Sequence, residues 1–115
     1  MVYAIGVSLD MRFVETPVFT EQIVAALDDD SYRQLQLALL LRPEQGALIR
    51  GSAGLRKLRW SLPGQGKRGG IRVIYFWHPR DETFYMLYLY PKNVQGDLTP
   101  DQTRILRRLV EKEFK

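Results

Sequence analysis

The side chains of this chain that could do chemistry are cations and phenols, and they cluster. Lys57, Arg59, Lys67, Arg68, Arg72, Tyr88, Tyr90 and Lys92 fall in one stretch, with Arg56 beside the first of them. That set suits an RNA strand, because cations hold phosphates and rings stack on bases. Cleavage of RNA by its own 2′-hydroxyl needs a base for that hydroxyl, charge stabilisation at the phosphate, and a proton for the leaving oxygen. Lysine or tyrosine can move protons where neighbouring cations lower its pKa. Arginine is a poor base but a good clamp on a phosphate. Lys57, Arg59, Arg68, Arg72, Tyr90 and Lys92 could share these roles without histidine. The same residue types also suit a solvated sheet face, or a surface that binds RNA without cutting it, and chemistry alone does not choose among the three.

His78 is the one histidine, and a ribonuclease would want it as a general base. It lies in His78-Pro79-Arg80-Asp81-Glu82, a turn at the opposite strand end from Tyr90 and Lys92, and reads as a turn residue beside two solvated acids. The glycine-rich run Pro63–Gly70 joins two strands and lacks the strand-to-helix setting of a nucleotide phosphate loop. Lys67 and Arg68 make it a basic finger that can close on RNA; a flexible hairpin loop is the plainer reading. With no cysteine and a single histidine, neither a disulfide scaffold nor a dedicated zinc site is expected, and no cofactor is implied. The absence of thiols fits a cytoplasmic protein. No apolar run is long enough to span a bilayer.

Charge repeats the pattern. The formal net charge is +4, but Arg50–Lys92 carries nine bases against Asp81 and Glu82, so that stretch is +7 and the remainder −3. Clustered base on part of a small domain is the footprint of a polyanionic partner. Nucleic acid is the leading candidate and an acidic protein the second.

The elements that must position these residues follow from periodicity. Leu55–Leu62, Gly70–Trp77 and Thr83–Tyr90 are rich in β-branched and aromatic residues and bounded by turn residues, the signature of an antiparallel meander. Strict alternation puts Leu58 and Trp60 opposite Lys57 and Arg59 on the first strand. On the second it puts Ile71, Val73, Tyr75 and Trp77 opposite Arg72, Ile74 and Phe76. On the third, Tyr85, Leu87 and Leu89 oppose Phe84, Met86, Tyr88, Tyr90 and Lys92. One face is then apolar, and the other carries Lys57, Arg59, Arg72, Tyr88, Tyr90 and Lys92.

Upstream, Arg12–Glu15 reads as a strand, and Thr16-Pro17 as a capped helix start. Phe19, Ile23, Ala26 and Leu27 mark one face of that helix. A second helix over Ser31–Leu41 carries Tyr32, Leu35, Ala38, Leu39 and Leu41 as its apolar stripe. The two form a hairpin that covers the apolar sheet face. Ala47–Arg50 is a short extended piece. Thr99-Pro100-Asp101-Gln102 is a capping box that opens a last helix to about Phe114. With 115 residues there is room for one core and not two. The expectation is a single α+β domain over residues 11–115, with the N-terminal helical hairpin on one face of an antiparallel sheet and a C-terminal helix. Residues 1–10 read as a non-native or disordered extension, with an extra edge strand as the competing reading.

Three segments carry a resemblance: Gly54-Leu55-Arg56-Lys57-Leu58-Arg59; Gly66-Lys67-Arg68-Gly69-Gly70-Ile71-Arg72-Val73-Ile74-Tyr75-Phe76; and Tyr88-Leu89-Tyr90-Pro91-Lys92-Asn93. Together they resemble the RelE/HigB toxins of type II toxin–antitoxin systems, the HigB-like branch most closely, and the resemblance extends over Met11–Phe114. It implies the RelE fold and a small bacterial mRNA interferase: a metal-independent endoribonuclease that stops translation by cutting mRNA, typically in the ribosomal A site. It implies a cognate antitoxin, often a helix-turn-helix protein of HigA type, and contact with operator DNA only through the antitoxin complex.

Residue by residue, Arg72 matches the family's phosphate-contacting arginine. Lys57 and Arg59 sit on the strand of its catalytic or RNA-gripping bases. Lys67 and Arg68 match the Lys-Arg loop, and Lys92 the basic residue after the last long strand. Some RelE toxins use a C-terminal tyrosine as base; Gly96–Pro100 contains none, which leaves Tyr90 or a lysine for that role. The site implied is Lys57, Arg68, Arg72, Tyr90 and Lys92 for catalysis, with Arg56, Arg59, Lys67 and Tyr88 holding RNA. The competing reading is a catalytically inactive RelE-like module that binds its antitoxin, RNA, or both.

Overall fold

Local sequence starts each helix. Thr16 caps α1 (Pro17–Ala26) by accepting from the Phe19 N–H at 3.0 Å, and Pro17 needs no N–H partner in the first turn. Asp28 caps α2 (Asp29–Leu41) by accepting from the Ser31 N–H, so this helix starts two residues earlier than Ser31. Thr99 and Gln102 form the reciprocal capping box of α3 (Pro100–Leu109), which widens into one π-helical turn over Val110–Phe114.

In this computed structural model, which describes residues 2–4, 11–62 and 70–114, six strands form one sheet. They are β1 (Val2–Ala4), β2 (Arg12–Glu15), β3 (Ala47–Leu48), β4 (Arg56–Trp60), β5 (Ile71–His78) and β6 (Thr83–Pro91), in the spatial order β1-β2-β6-β5-β4-β3. The meander β4-β5-β6 is antiparallel, as its turns require. The sheet as a whole is mixed, because β2 adds to β6 in parallel. The chain leaves β2 through both helices before it returns to the sheet, and so long a connection allows parallel pairing. Val2–Ala4 pairs antiparallel with β2 at the edge, and residues 5–10 lie outside those described.

The α1–α2 hairpin covers one face. Phe19, Ile23, Leu27, Leu35, Leu39 and Leu40 pack there on Phe13, Leu58, Ile71, Val73, Tyr75, Phe84, Met86 and Leu89. Leu41 does not join the stripe: it is 77% exposed, and Leu40 is buried in its place. A buried polar knot ties the hairpin to β2, with Thr20 and Tyr32 both donating to the Glu15 carboxylate. The other face holds a second, smaller core, in which Leu106 and Val110 pack on Leu55, Ile74, Phe76, Leu87 and Tyr90. α3 therefore covers part of the face that strict alternation leaves to cations.

Alternation also fails at one point of β6. Ile74 opposes Tyr88, and the next residue, Tyr75, opposes Met86, so Leu87 is an extra residue in a β-bulge. A bulge reverses the inside-outside parity beyond it. Phe84 and Met86 therefore share the hairpin face with Leu89, while Leu87 and Tyr90 share the α3 face. The expected grouping of Phe84 and Met86 with Tyr88 and Tyr90 is corrected by that single inserted residue.

Candidate nucleic-acid interface

The register builds the site in two rows. Arg59 opposes Arg72, and Arg72 opposes Tyr90 on the next strand. Two residues further in, Lys57 opposes Ile74, which opposes Tyr88. Directly opposed side chains lie on the same face, so Lys57, Arg59, Arg72, Tyr88 and Tyr90 converge beside the α3 core. Lys92 continues the ladder past Tyr90, its N–H donating to the Gly70 carbonyl at 2.9 Å, and its side chain is exposed. Gly70 leaves room for this corner: a Cβ there would lie 3.1 Å from the Trp60 carbonyl oxygen and 3.4 Å from Arg72 Nη1.

Three positions fall differently. Lys67 and Arg68 lie outside the described residues; their loop leaves from Leu62 and returns at Gly70, at the strand ends that carry Arg59 and Arg72. Arg56 opposes Tyr75 and so shares the hairpin side with Leu58. Its guanidinium donates to the Glu44 and Gly46 carbonyls at 2.9 and 2.7 Å, which fixes the connector before β3 rather than joining the cation cluster. His78 stays in the far turn, its Nδ1 accepting from the Asp81 N–H. It is six positions along extended β5 from Arg72, about 20 Å at some 3.3 Å per residue.

Asp97 enters the site from the link before α3, a segment that sequence reading notes only for its lack of a tyrosine. Its Oδ1 lies 2.6 Å from Lys57 Nζ. The Lys57 ammonium, first by that hydrogen bond and then by its charge, holds the Asp97 carboxyl below the usual carboxylate range, and Arg59 and Arg72 pull the same way. The one signal for this in the sequence is a lone acid in the link between β6 and α3, two residues before the Thr99 cap. The link is held over the sheet by Gln95 and Gln102. Gln95 Nε2 donates to the Asp97 carbonyl and to Gln102 Oε1, and Gln102 Nε2 donates to the Tyr88 hydroxyl at 3.3 Å.

The two tyrosines differ. Tyr88 is half-buried, and its ring centroid is 6.4 Å from that of Tyr90. Tyr90 is only 2% exposed, and its hydroxyl has no hydrogen-bond partner among the described residues. Burial, followed by the charge of Asp97, pushes its pKa up, against a smaller downward pull from Arg72. Tyr90 is thus held neutral, a state suited to giving a proton and unsuited to taking one. Among the described residues no group of three or more His, Cys, Asp or Glu side chains is placed to hold a metal ion, and no helix is long and apolar enough to cross a membrane.

An open basic surface beside a half-covered sheet face can hold consecutive phosphates and expose one to proton-transfer groups. Residues 43–115 match the family described as the RelE toxin of the RelE/RelB toxin–antitoxin system. The matched span takes in β3 to α3 and every candidate site residue, and ends upstream at the connector after α2. With more than half of its length in that match and the α+β architecture described above, the chain belongs to the RelE toxin family.

Proposed function

We propose that residues 11–115 form the toxin component of a type II toxin–antitoxin system, of the HigB-like branch, acting as an endoribonuclease that cuts mRNA by attack of its own 2′-hydroxyl. The observation that carries this reading is the row Arg59–Arg72–Tyr90 with Lys57 beside it, which runs from the part of the face that α3 leaves open to its border at the buried Tyr90. Arg72 and Arg59 clamp the scissile phosphate and stabilise its developing charge. The Lys57 ammonium stabilises the attacking 2′-oxygen as its proton passes to water, and the neutral Tyr90 hydroxyl supplies a proton to the leaving oxygen. Lys92, with Lys67 and Arg68 on the β4–β5 loop, grips the flanking phosphates, and Tyr88 offers a stacking ring. None of these roles calls on a metal ion. The setting is the cytoplasm, on mRNA in the ribosome, and the partner is a helix-turn-helix antitoxin of HigA type, through which alone the toxin meets operator DNA.

A second reading has its own support. A Tyr90 held neutral cannot act as base, and Lys57 is engaged by Asp97, which suits an inactive module that keeps its antitoxin interface. Induced expression in a bacterial host, with mapping of mRNA 5′ ends, separates the two. The endoribonuclease reading expects growth arrest and new ends inside translated codons. Arg72→Ala should remove a charge-assisted phosphate contact of about 1.5–3 kcal/mol and abolish both effects. Normal growth and intact mRNA with soluble wild-type protein would leave the inactive module. Wild-type cleavage by Arg72→Ala would take Arg72 out of the site.

A further inference from the structure

We propose that Asp97 is a built-in occupant of the phosphate site: its carboxylate rests on Lys57 where a phosphodiester would bind, and RNA enters by displacing it. The proposal rests on the nucleic-acid reading of this face and adds to it how the empty site is held and which ligands can open it.

The two partners are unequal. The Lys57 side chain rises from β4 and is only 19% exposed, whereas that of Asp97 is 78% exposed. Lys57 is fixed and Asp97 is the side that can leave. The backbone need not move for this. The Val94 and Gln95 N–H groups both bond the Pro91 carbonyl, and Gln95 holds the Asp97 carbonyl, so a rotation of the Asp97 side chain is enough to bare the ammonium. A carboxylate and a phosphodiester each present one negative charge and acceptor oxygens, so one can replace the other on a lysine. Arg59 and Arg72 already act on Asp97 through their charges, which places the carboxylate within the field of all three cations.

Such a contact sets a threshold. An ion pair this open to water is weakly held, and it yields to a ligand that engages several cations at once. A strand with consecutive phosphates, meeting Lys57, Arg59, Arg72 and Lys92 together, is such a ligand; a lone monoanion is not. Exchange also leaves a mark in the salt dependence. Salt screens the Lys57–Asp97 pair that must break as well as the RNA contacts that form, which in wild type offsets part of the loss of affinity. With asparagine at this position that offset is gone, and for a single strand the slope of log K against log salt steepens by at most about 0.7.

The test is fluorescence anisotropy with a short labelled RNA whose riboses are all 2′-O-methylated, so that it binds and is not cut. Wild type, Asp97→Asn and Asp81→Asn are compared over a salt series. Asp81 lies in the far β5–β6 turn and controls for the change in net charge. The expected result is about three- to tenfold tighter binding by Asp97→Asn at low salt, with the steeper slope, and little change in Asp81→Asn. Wild type that binds while Asp97→Asn binds equally or more weakly would overturn the proposal alone. So would an equal gain in Asp81→Asn. No binding by any of the three would overturn the nucleic-acid reading and this proposal with it.

Discussion

On the hairpin side of the sheet, Phe13, Val73, Tyr75, Phe84 and Met86 are wholly out of water, in one cluster with the apolar residues of α1 and α2. On the α3 side, Leu55 just before β4 and Ile74, Phe76 and Leu87 on β5 and β6 lie under the helix, and Lys57, Arg59 and Arg72 lie beyond it. Two long strands that are equally apolar by composition thus end with one sealed face and one divided face. Two helices make the difference on the first side, against one short amphipathic helix on the second. Where cover stops, the sheet must carry groups that water or a polyanion will accept. The general lesson is that the open part of a half-covered face is where a small domain can place charge without paying for its desolvation.

The comparison breaks most visibly at Phe84. Its ring stacks on Phe13 with centroids 4.6 Å apart and lies 4.4 Å from that of Trp77. Phe84→Ala should destabilise the fold by about 3–5 kcal/mol in urea unfolding. Arg59→Ala, at an exposed position on the divided face, should stay within about 0.5 kcal/mol. A comparable loss from both would mean that the divided face is as much a part of the packed structure as the sealed one.

A smaller effect sharpens the sealed side at its polar rim. The Tyr75 hydroxyl accepts from the Gly46 N–H at 3.0 Å and donates to the Pro43 carbonyl at 2.7 Å, which closes the connector onto the sheet. Gly46 has no room for a side chain here, since a Cβ would sit 2.8 Å from Tyr75 Cε1. Tyr75→Phe leaves the Gly46 N–H without that acceptor and should cost about 1–2 kcal/mol, read as a shift of the urea midpoint at unchanged slope.

Helix caps, the three meander strands and the hairpin over the apolar face were all legible, because each is written in local chemistry: Thr16-Pro17, Thr99 to Gln102, and two-residue alternation along β5. Two features of the fold were not. The bulge at Leu87 has no turn residue to mark it, and it changed the side assigned to Phe84 and Met86. The parallel pairing of β2 with β6 joins segments some seventy residues apart and leaves no local trace. For the site, the meander pattern sufficed to bring Lys57, Arg59, Arg72, Tyr88 and Tyr90 to one face. It could not show that Tyr90 would lie beneath α3, or that Asp97 would fold back onto Lys57, because both depend on where α3 docks. Arg56 was grouped with its neighbours in sequence, although its place in the alternation puts it with Leu58 on the other side.

The smallest expected effect is at Tyr90, on the border between the covered and open parts of the divided face. Tyr90→Phe removes a hydroxyl that has no partner among the described residues, so at neutral pH stability should change by no more than about 1 kcal/mol, in the stabilising direction if at all. The difference emerges in alkali. The folded protein holds the Tyr90 proton more tightly than the unfolded chain, whose tyrosine titrates near 10. The stabilisation linked to that proton is complete below the unfolded value and is lost as pH rises through the folded one. Tyr75, also pushed up chiefly by burial, contributes a parallel loss. Urea unfolding repeated at increasing pH should therefore show a steeper alkaline decline in wild type than in Tyr90→Phe, by up to about 1.4 kcal/mol per pH unit. Identical declines would mean that the phenol titrates freely and that α3 does not seal it. Cleavage by the same variant then decides the role of the hydroxyl: a loss of about a hundredfold with the fold intact is expected of a proton donor, and an unchanged rate would leave Tyr90 as packing under α3.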